Sequence, residues 1–226
     1  MDGSRDSMLT LSFNRNALEK FSILCLGAHS DDIEIGCGGT ILRLVETYPE
    51  AEVHWVVFGA HDARVTEARQ SAEAFLARAR AKRIEILDFQ DGYFPYIGAG
   101  IKDAFERLKR EVSPDIIFTH YRQDLHQDHR LLSELTWNTF RNHLILEYEI
   151  PKYDGDFGSP NFFVPLQEKF CDQKVEHILQ YFKTQEKRHW FTADTFRSVM
   201  RLRGIECGSS AHYAEAFYCR KIVAGE

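Results

Sequence analysis

The chain has 226 residues, of which 28 are Lys or Arg and 34 are Asp or Glu, so its formal charge is −6. Its length favours one domain with a full hydrophobic core, and its 44% of hydrophobic residues is typical of a globular protein and not of a disordered one. The negative charge and the absence of a basic cluster in the sequence argue against nucleic acid as a partner.

The first 20 residues are polar and include acidic side chains, so they predict a loose N-terminal arm and not a secretory signal. No apolar run in the sequence approaches the about 20 residues of a membrane-spanning helix. None of the five cysteines belongs to a C-x-x-C pair, which favours free thiols in a reducing compartment. We therefore expect a cytoplasmic protein without a membrane span.

From residue 21 to residue 226 the pattern predicts a single domain. Short apolar runs predict strands over residues 22–27, 53–58, 83–89, 115–120 and 144–150. Apolar residues at helical spacing predict helices over residues 39–48, 65–79, 101–112 and 128–141. Strands that alternate with helices form right-handed βαβ crossovers. The sequence therefore predicts an α/β fold, a Rossmann-like, doubly wound, mainly parallel sheet flanked by helices.

The composition changes after residue 150. Residues 151–165 are rich in Pro, Gly, Asp and aromatic side chains and predict a long loop. A helix is expected over residues 170–182, and a shorter one is expected to start with Asp194 as its N-cap and to stop at Gly204. The parallel sheet is thus expected to carry a C-terminal elaboration of loops and helices.

Two predicted strand ends are rich in the side chains that bind metal ions. Residues 27–34 read Gly-Ala-His-Ser-Asp-Asp-Ile-Glu, and residues 120–129 read His-Tyr-Arg-Gln-Asp-Leu-His-Gln-Asp-His. Sites in such a sheet lie at the carboxyl ends of the strands, so these segments are expected to meet. A catalytic zinc takes three His, Asp or Glu ligands and keeps one position open for water. His29, Asp32 and His129 meet that requirement as a His2Asp site.

The residues beside these ligands fit the chemistry of a hydrolase. Asp31 is predicted to be the general base for a metal-bound water, and His126 to stabilise an oxyanion or to protonate a leaving amine. Asp128 is predicted to orient His126. Asp31 and Asp32 also fit a cap on the positive end of a helix, but a second turn rich in His and Asp disfavours that interpretation.

The segment Gly36-Cys37-Gly38-Gly39 offers a dinucleotide-binding alternative. The G-x-G-x-x-G pattern needs glycine at position 41, where Ile41 stands, and the acidic residues before the segment would repel a pyrophosphate. Close backbone packing and helix entry explain these glycines better. A nucleotide-dependent oxidoreductase is therefore disfavoured.

Several short motifs of the chain are similar to those of one enzyme family. The family's A-H-P-D-D-E with a later G-G-T is similar to residues 28–32 with residues 38–40, and its D-x-H-P-D-H is similar to residues 124–129. On these motifs the chain resembles the PIG-L/LmbE-like family of zinc-dependent N-acetyl-sugar deacetylases. Weaker similarities extend the match over about residues 22–220, at Arg64 with Glu67, Asp91-Gly92, Pro160-Asn161-Phe162-Phe163, Lys174, Gln185 and Ala214-Glu215-Ala216-Phe217.

The resemblance implies a function as well as a fold. It implies that Zn2+ binds to His29, Asp32 and His129, and that Asp31 activates the metal-bound water; a His2Asp site also accepts iron, cobalt or manganese. The implied reaction removes the N-acetyl group of an amino sugar, namely an N-acetylglucosamine-type sugar, nucleotide sugar or glycoconjugate, and yields a free amine and acetate. Ser30 and Gln127 replace the family's prolines. Ile33 stands at the position of the acid that ends the family's first motif, and Glu34 follows one residue later, so no role is assigned to Glu34.

Substrate contacts and partners are less constrained by the sequence. Arg64, Glu67, Asp91 and Asn161 are predicted to contact sugar hydroxyl or phosphate groups. Aromatic residues in two predicted loops are expected to serve packing more than the cleft: Tyr93, Phe94, Tyr96, Phe157, Phe162 and Phe163. A homo-oligomer stays open, as do two other functions: a metal-dependent amidase for a non-sugar amide, and a non-catalytic binding protein, which the presence of both Asp31 and His126 disfavours.

Overall fold

The first two thirds of the chain alternate between strands and helices, as the hydrophobic pattern predicts. The computed structural model describes residues 10–13 and 19–223. In this part the elements are β1 (Phe21–His29), α1 (Asp32–Thr47), β2 (Ala51–Gly59), α2 (Ala63–Phe75), β3 (Ala81–Ile86), α3 (Gly98–Glu111), β4 (Ile116–His120), α4 (Gln127–Thr139) and β5 (Leu144–Tyr148). A short 3-10 helix, Phe94–Tyr96, precedes α3. All five predicted strands are confirmed, with ends that differ by up to three residues.

The C-terminal third adds two strands that the sequence analysis did not predict. Its elements are β6 (Phe162–Leu166), α5 (Glu168–Tyr181), a 3-10 helix (Lys183–Gln185), α6 (Ala193–Glu206) and β7 (Tyr213–Cys219). The prediction of a loop over residues 151–165 is therefore wrong at its end, where β6 begins. Pro165 concealed this strand in the sequence; proline is tolerated there because β6 lies at the edge of the sheet.

Within the described residues the seven strands form one sheet in the order β3-β2-β1-β4-β5-β7-β6. Strands β1 to β5 are parallel to one another, whereas β7 is antiparallel to both β5 and β6. Successive residues of β1 enter different cores: Ile23 and Cys25 pack with α1, α2 and α5, and Leu24 and Leu26 pack with α3 and α4. Helices thus cover both faces, and the predicted doubly wound, mainly parallel fold is confirmed.

The predicted boundaries of two helices are wrong. Helix α1 begins at Asp32, so the glycine run lies inside the helix and not at its entry. The predicted close packing is present, because a Cβ on Gly36 would overlap the ring of Tyr148. Helix α6 takes Thr192 as its N-cap in place of Asp194, and it continues beyond Gly204. Gly204 is required for a different reason, since a Cβ there would overlap the backbone of His212.

Several sequence-based expectations concern the ends of the chain and its thiols. The predicted arm, residues 1–20, lies mostly outside the described residues, and the single domain over residues 21–226 stays a prediction. All five cysteines lie in the described part and are free thiols, as expected. None of the helices within residues 10–13 and 19–223 has the length and apolar character that a membrane crossing requires.

Candidate metal centre and active site

The three residues predicted to bind a metal ion meet at the carboxyl edge of the parallel sheet. His29 is the last residue of β1, Asp32 is the first residue of α1, and His129 lies in the first turn of α4. Strands β1 and β4 are neighbours, so the turns that follow them converge. All three side chains are buried. The fold therefore assembles from three separate elements the set that the strand-end rule predicts.

The ligand atoms of these residues form a small triangle. His29 Nδ1 lies 3.2 Å from His129 Nε2 and 3.3 Å from Asp32 Oδ2, and His129 Nε2 lies 3.5 Å from Asp32 Oδ2. Metal–ligand bonds of about 2.0–2.2 Å in tetrahedral geometry place neighbouring ligand atoms about 3.3 Å apart. The triangle therefore has the size that a zinc-like ion requires, with the cleft on its open side.

Carboxylates hold the outer nitrogens of both histidines. His29 Nε2 lies 3.2 Å from Asp128 Oδ2 and 3.0 Å from Asp91 Oδ1, while His129 Nδ1 lies 2.9 Å from Asp124 Oδ2. A carboxylate on one ring nitrogen fixes the proton there and leaves the other nitrogen free to bind a metal ion. These contacts direct His29 Nδ1 and His129 Nε2 toward the triangle.

The electrostatics of the centre favour a cation. Burial opposes protonation of His29, but the carboxylates of Asp32, Asp128 and Asp91 outweigh it and raise the pKa of His29 well above its usual value. Burial and the neighbouring His120 lower the pKa of His129 to about 3, so that imidazole is neutral, as a metal ligand must be. The carboxylates around His29 carry a surplus of negative charge, which favours a proton on His29. A divalent ion would neutralise the same surplus.

Asp31 lies beside this triangle and is held by Arg64. Arg64 Nη2 donates to Asp31 Oδ1 at 3.1 Å, and its Nε donates to Ser30 Oγ at 2.9 Å. Burial raises the pKa of the Asp31 carboxyl above its usual range, although Arg64 opposes this rise. Arg64 Nη1 also lies 3.6 Å from Asp91 Oδ2. Arg64 therefore belongs to the site, where it orients the carboxylate predicted to act as base.

The structure corrects the predicted relation between Asp128 and His126. No hydrogen bond joins the Asp128 carboxylate to His126, although an oxygen of the one lies within 4.8 Å of a ring nitrogen of the other. The carboxylate accepts from the backbone N–H groups of Gly92 at 2.6 Å and Phe94 at 3.1 Å, in addition to its contact with His29. Only the backbone N–H of Asp128 reaches His126, whose Nδ1 accepts it at 3.3 Å in the N-cap of α4. The Asp128 side chain instead supports His29 and anchors the loop that carries Asp91.

Three residues of the centre were given no role from the sequence. His120 Nε2 accepts from Ala28 N–H at 2.9 Å and lies 3.2 Å from Asp32 Oδ2, and its ring stacks on His129 with centroids 3.8 Å apart. Asp124 binds His129, and Lys152 Nζ lies 3.0 Å from Asp124 Oδ2. Asp124 and His120 stand inside the second metal-rich segment, so their spacing was a usable signal. Lys152 lies in a distant loop and offered none.

With this geometry established, comparison with known proteins identifies the chain's family. Residues 24–140, more than half of the chain, match the PIG-L family, described as GlcNAc-PI de-N-acetylase. The chain belongs to the PIG-L family. An uncharacterized deacetylase of Escherichia coli K12, YaiS, is 28% identical over 189 residues, which cover 80% of this chain and 99% of YaiS. The predicted resemblance and the assignment to the deacetylases are thereby confirmed.

Solved structures share the fold of this PIG-L family member at low sequence identity. N,N'-diacetylchitobiose deacetylase from Pyrococcus horikoshii, solved with an inhibitor, superimposes with a TM-score of 0.68 at 23% identity over 88% of this chain and 83% of its own. GalB, a 4-carboxy-2-hydroxymuconate hydratase from Pseudomonas putida KT2440, gives 0.65 at 18% identity over 91% and 98%. Because a hydratase also has this fold, the fold alone does not determine the reaction.

Two polar residues predicted to contact substrate are not brought into the cleft of this PIG-L family chain. Glu67 is buried on α2, where its carboxylate accepts from Thr184 N–H at 2.9 Å and from Thr184 Oγ1 at 2.6 Å. Asn161 exchanges hydrogen bonds with the backbone of Cys219 at 2.8 and 3.1 Å. Both side chains connect distant segments, so the geometry does not support their predicted substrate contacts.

The cleft beside the triangle has a floor of ligands and a wall from the C-terminal third. Arg64, Asp91 and His126 line it together with the metal ligands and Asp31. The wall comes from a loop after β5 and from the 3-10 helix Lys183–Gln185 with the loop that follows it. It includes Lys152, Tyr153, Asp154, Gln185, Arg188 and Trp190. The aromatic residues that the sequence analysis assigned to packing are not part of this described lining. Tyr153 and Trp190, which it did not consider, supply the aromatic surface instead.

Proposed function

We propose that this PIG-L family chain is a metal-dependent N-deacetylase that hydrolyses the acetamido group of an N-acetyl amino sugar, or of its conjugate, to a free amine and acetate. One observation carries the proposal. The ligand atoms of His29, Asp32 and His129 lie 3.2–3.5 Å from one another, at the floor of a cleft that Asp31 also lines. A metal site and an adjacent carboxylate are the parts that amide hydrolysis by water requires.

The donor set of the triangle supports a divalent transition metal, and we propose Zn2+. Two imidazole nitrogens and one carboxylate oxygen are typical of hydrolytic zinc sites. When bound, such an ion polarises an amide carbonyl and makes water nucleophilic at neutral pH. Iron, cobalt and manganese accept the same donors and are the alternatives that metal analysis would identify.

Asp31 is the proposed general base. Arg64 occupies its Oδ1, so Oδ2 is the oxygen that accepts a proton from the attacking water. As this proton reaches Asp31, a C–O bond forms at the acetyl carbon and negative charge develops on the former carbonyl oxygen. Burial of Asp31 excludes competing solvent from this transfer.

His126 is the proposed donor to that oxygen. Its Nδ1 accepts from the backbone N–H of Asp128, so the neutral ring carries its proton on Nε2. The Nε2–H group can then donate to the developing oxyanion. When the C–N bond breaks, the proton held by Asp31 passes to the departing nitrogen. One water is consumed, and one amine and one acetate are formed.

The cleft wall supports an amino sugar as the substrate. Tyr153 and Trp190 offer flat aromatic faces for the apolar face of a sugar ring, and Arg188 and Asp154 offer a donor and an acceptor for its hydroxyl groups. The description of the PIG-L family and the chitobiose deacetylase structure both refer to N-acetylglucosamine units. We therefore propose an N-acetylglucosamine-type substrate.

Acetate release tests the proposal directly. Zinc-loaded protein is incubated with N-acetyl sugars, their nucleotide conjugates and simple acetamides, and loss of an acetyl group is followed by mass spectrometry. We expect one sugar class to react and Asp31→Ala to lower its rate at least about 100-fold with zinc still bound. Normal turnover by Asp31→Ala would refute the assigned base. Cleavage of acetamides alone would favour the amidase. A protein that binds no metal and yields no product from any compound would favour a binding role.

A further inference from the structure

A buried ion pair outside the cleft is connected to α1, the helix that begins at Asp32. Lys174 on α5 and Glu215 on β7 are only 3% and 4% exposed. Lys174 Nζ lies 2.6 Å from Glu215 Oε1. Neither side chain is part of the described lining of the cleft, so the reaction proposed above makes no direct use of them.

The pair binds the backbone of α1 itself. Glu215 accepts from the N–H groups of Gly39 at 2.9 Å and Thr40 at 2.6 Å, and Lys174 donates to the carbonyl of Ile35 at 2.6 Å. In a regular helix the carbonyl of residue 35 and the N–H of residue 39 are partners. The ion pair therefore bridges one step of the helical hydrogen-bond ladder.

Glycine at position 39 permits this arrangement. A Cβ there would lie 2.6 Å from Leu166 Cδ1 and 3.1 Å from Glu215 Oε1, so a larger residue would push the carboxylate and β6 away from the helix. The glycine run that the sequence analysis attributed to close packing thus brings α1 within hydrogen-bond distance of a buried carboxylate.

These contacts hold α1 in a defined position along its axis. The other contacts of α1 are mainly apolar, and apolar burial has little directional preference. Charge-assisted hydrogen bonds are directional and short. Ile35 follows Asp32 by less than one helical turn, and its side chain lines the cleft. A displaced α1 would carry Asp32 away from His29 and His129, which belong to other elements.

We propose that Lys174 and Glu215 are positioning residues for the metal centre, because they hold the α1 backbone so that Asp32 Oδ2 stays at ligand distance from His29 and His129. The inference rests on the proposed metal site. A buried ion pair is a weak source of stability because desolvation opposes it. The pair therefore contributes more by fixing the position of α1 than by stabilising the fold.

Two substitutions test the pair, and a third provides a matched control. Glu215→Gln keeps the side-chain volume but turns an NH2 group toward a donor, and Lys174→Met removes the donor to Ile35. Arg203→Met breaks another buried ion pair, in which Arg203 Nη2 lies 2.7 Å from Glu149 Oε1. That pair lines a cavity together with Ile35 and Gly36, but its hydrogen bonds go to Glu206, Gly158 and Tyr218 and not to the backbone of α1. For each metal-free variant we would measure the thermal midpoint, the Kd for Zn2+ by chelator competition, and the Co2+ absorption spectrum.

We expect Glu215→Gln and Lys174→Met to weaken zinc binding about 10-fold or more and to alter the Co2+ spectrum, with Arg203→Met within about twofold of wild type. The double variant should bind zinc about as tightly as the single variant with the lower affinity, since both changes break the same unit. The inference would be overturned if Glu215→Gln bound zinc as tightly as Arg203→Met. If Lys174→Met does not fold, the zinc affinity of Glu215→Gln alone tests the inference. Failure of the proposed metal site differs, because wild type would then bind no better than Asp32→Asn.

Discussion

Replacement of Asp124 by asparagine tests how far the metal site depends on the residues behind its ligands. Asp124 Oδ2 accepts from His129 Nδ1 at 2.9 Å and from Lys152 Nζ at 3.0 Å, and Oδ1 accepts from the backbone N–H of His126 at 2.7 Å. Both oxygens therefore face donors. An asparagine must place its own NH2 group against one of these donors, whichever way its amide is turned.

The orientation with Nδ2 toward His129 is the more damaging for a metal ion. His129 Nδ1 then becomes an acceptor and the ring proton moves to Nε2, the nitrogen that lies 3.2 Å from His29 Nδ1 and faces the metal position. The other orientation opposes the N–H of His126, and both orientations remove the negative charge beside Lys152. Loss of such support lowers metal affinity about 10- to 100-fold, which corresponds to about 1.4 to 2.7 kcal/mol.

The assay is a zinc titration in competition with a coloured chelator, with Asp156→Asn as the matched control. Asp156 accepts from Lys152 Nζ at 2.5 Å and from the backbone N–H of Leu125 at 2.7 Å, and it has no recorded contact with His129. Its replacement removes the same charge from Lys152 but leaves the His129 proton in place. Equal Kd values for Asp124→Asn and wild type would show that the carboxylate does not set the tautomer of His129.

Three further substitutions separate packing, strain and positioning. Gly36→Ala should destabilise the fold by about 1–3 kcal/mol in urea, because a Cβ overlaps the Tyr148 ring, and an unchanged midpoint would contradict this. Asp62→Gly should raise stability by up to about 1 kcal/mol, since Asp62 has a φ of 50°; a loss of stability would show that its side chain matters more. Arg64→Met should lower kcat at least about 10-fold with zinc affinity kept, because it releases Asp31, and a parallel loss of zinc would assign Arg64 to the metal site.

Local patterns were sufficient for the parallel half of the molecule and for the metal ligands. Strands β1, β2, β4 and β5 are short apolar runs, whereas β3 (Ala81–Ile86) mixes apolar and charged residues. Helical stripes separate the strands, so the alternation indicates the sheet. The strand-end rule then places His29 and His129 at one edge, although they are 100 residues apart. Both signals lie within a few residues of each element, where a sequence can be interpreted without its tertiary partners.

Contacts between polar groups that are distant in the sequence could not be predicted from such local patterns. Asp128 reaches Gly92 across 36 residues, and Glu67 reaches Thr184 across 117. A buried carboxylate must find donors, but nothing in the flanking sequence says which donors these are. For this reason the motif residues Glu67 and Asn161 were assigned to a substrate, whereas they bind other parts of the chain. The antiparallel strands β6 and β7 were not predicted for a similar reason, because it is their pairing with each other, and not a local sequence pattern, that identifies them as strands.

The two halves of the cleft differ in origin, and this bears on how selectivity can change. The metal triangle belongs to β1, α1 and α4, elements held by the parallel sheet, whereas Tyr153, Arg188 and Trp190 stand on loops of the C-terminal third. Lys152 connects the wall to the metal centre, because it links its loop to Asp124 behind His129. Substitutions in the loop wall should therefore change KM among acetylated sugars with little effect on zinc affinity. Lys152 is the exception, because it belongs to the wall and to the support of a metal ligand.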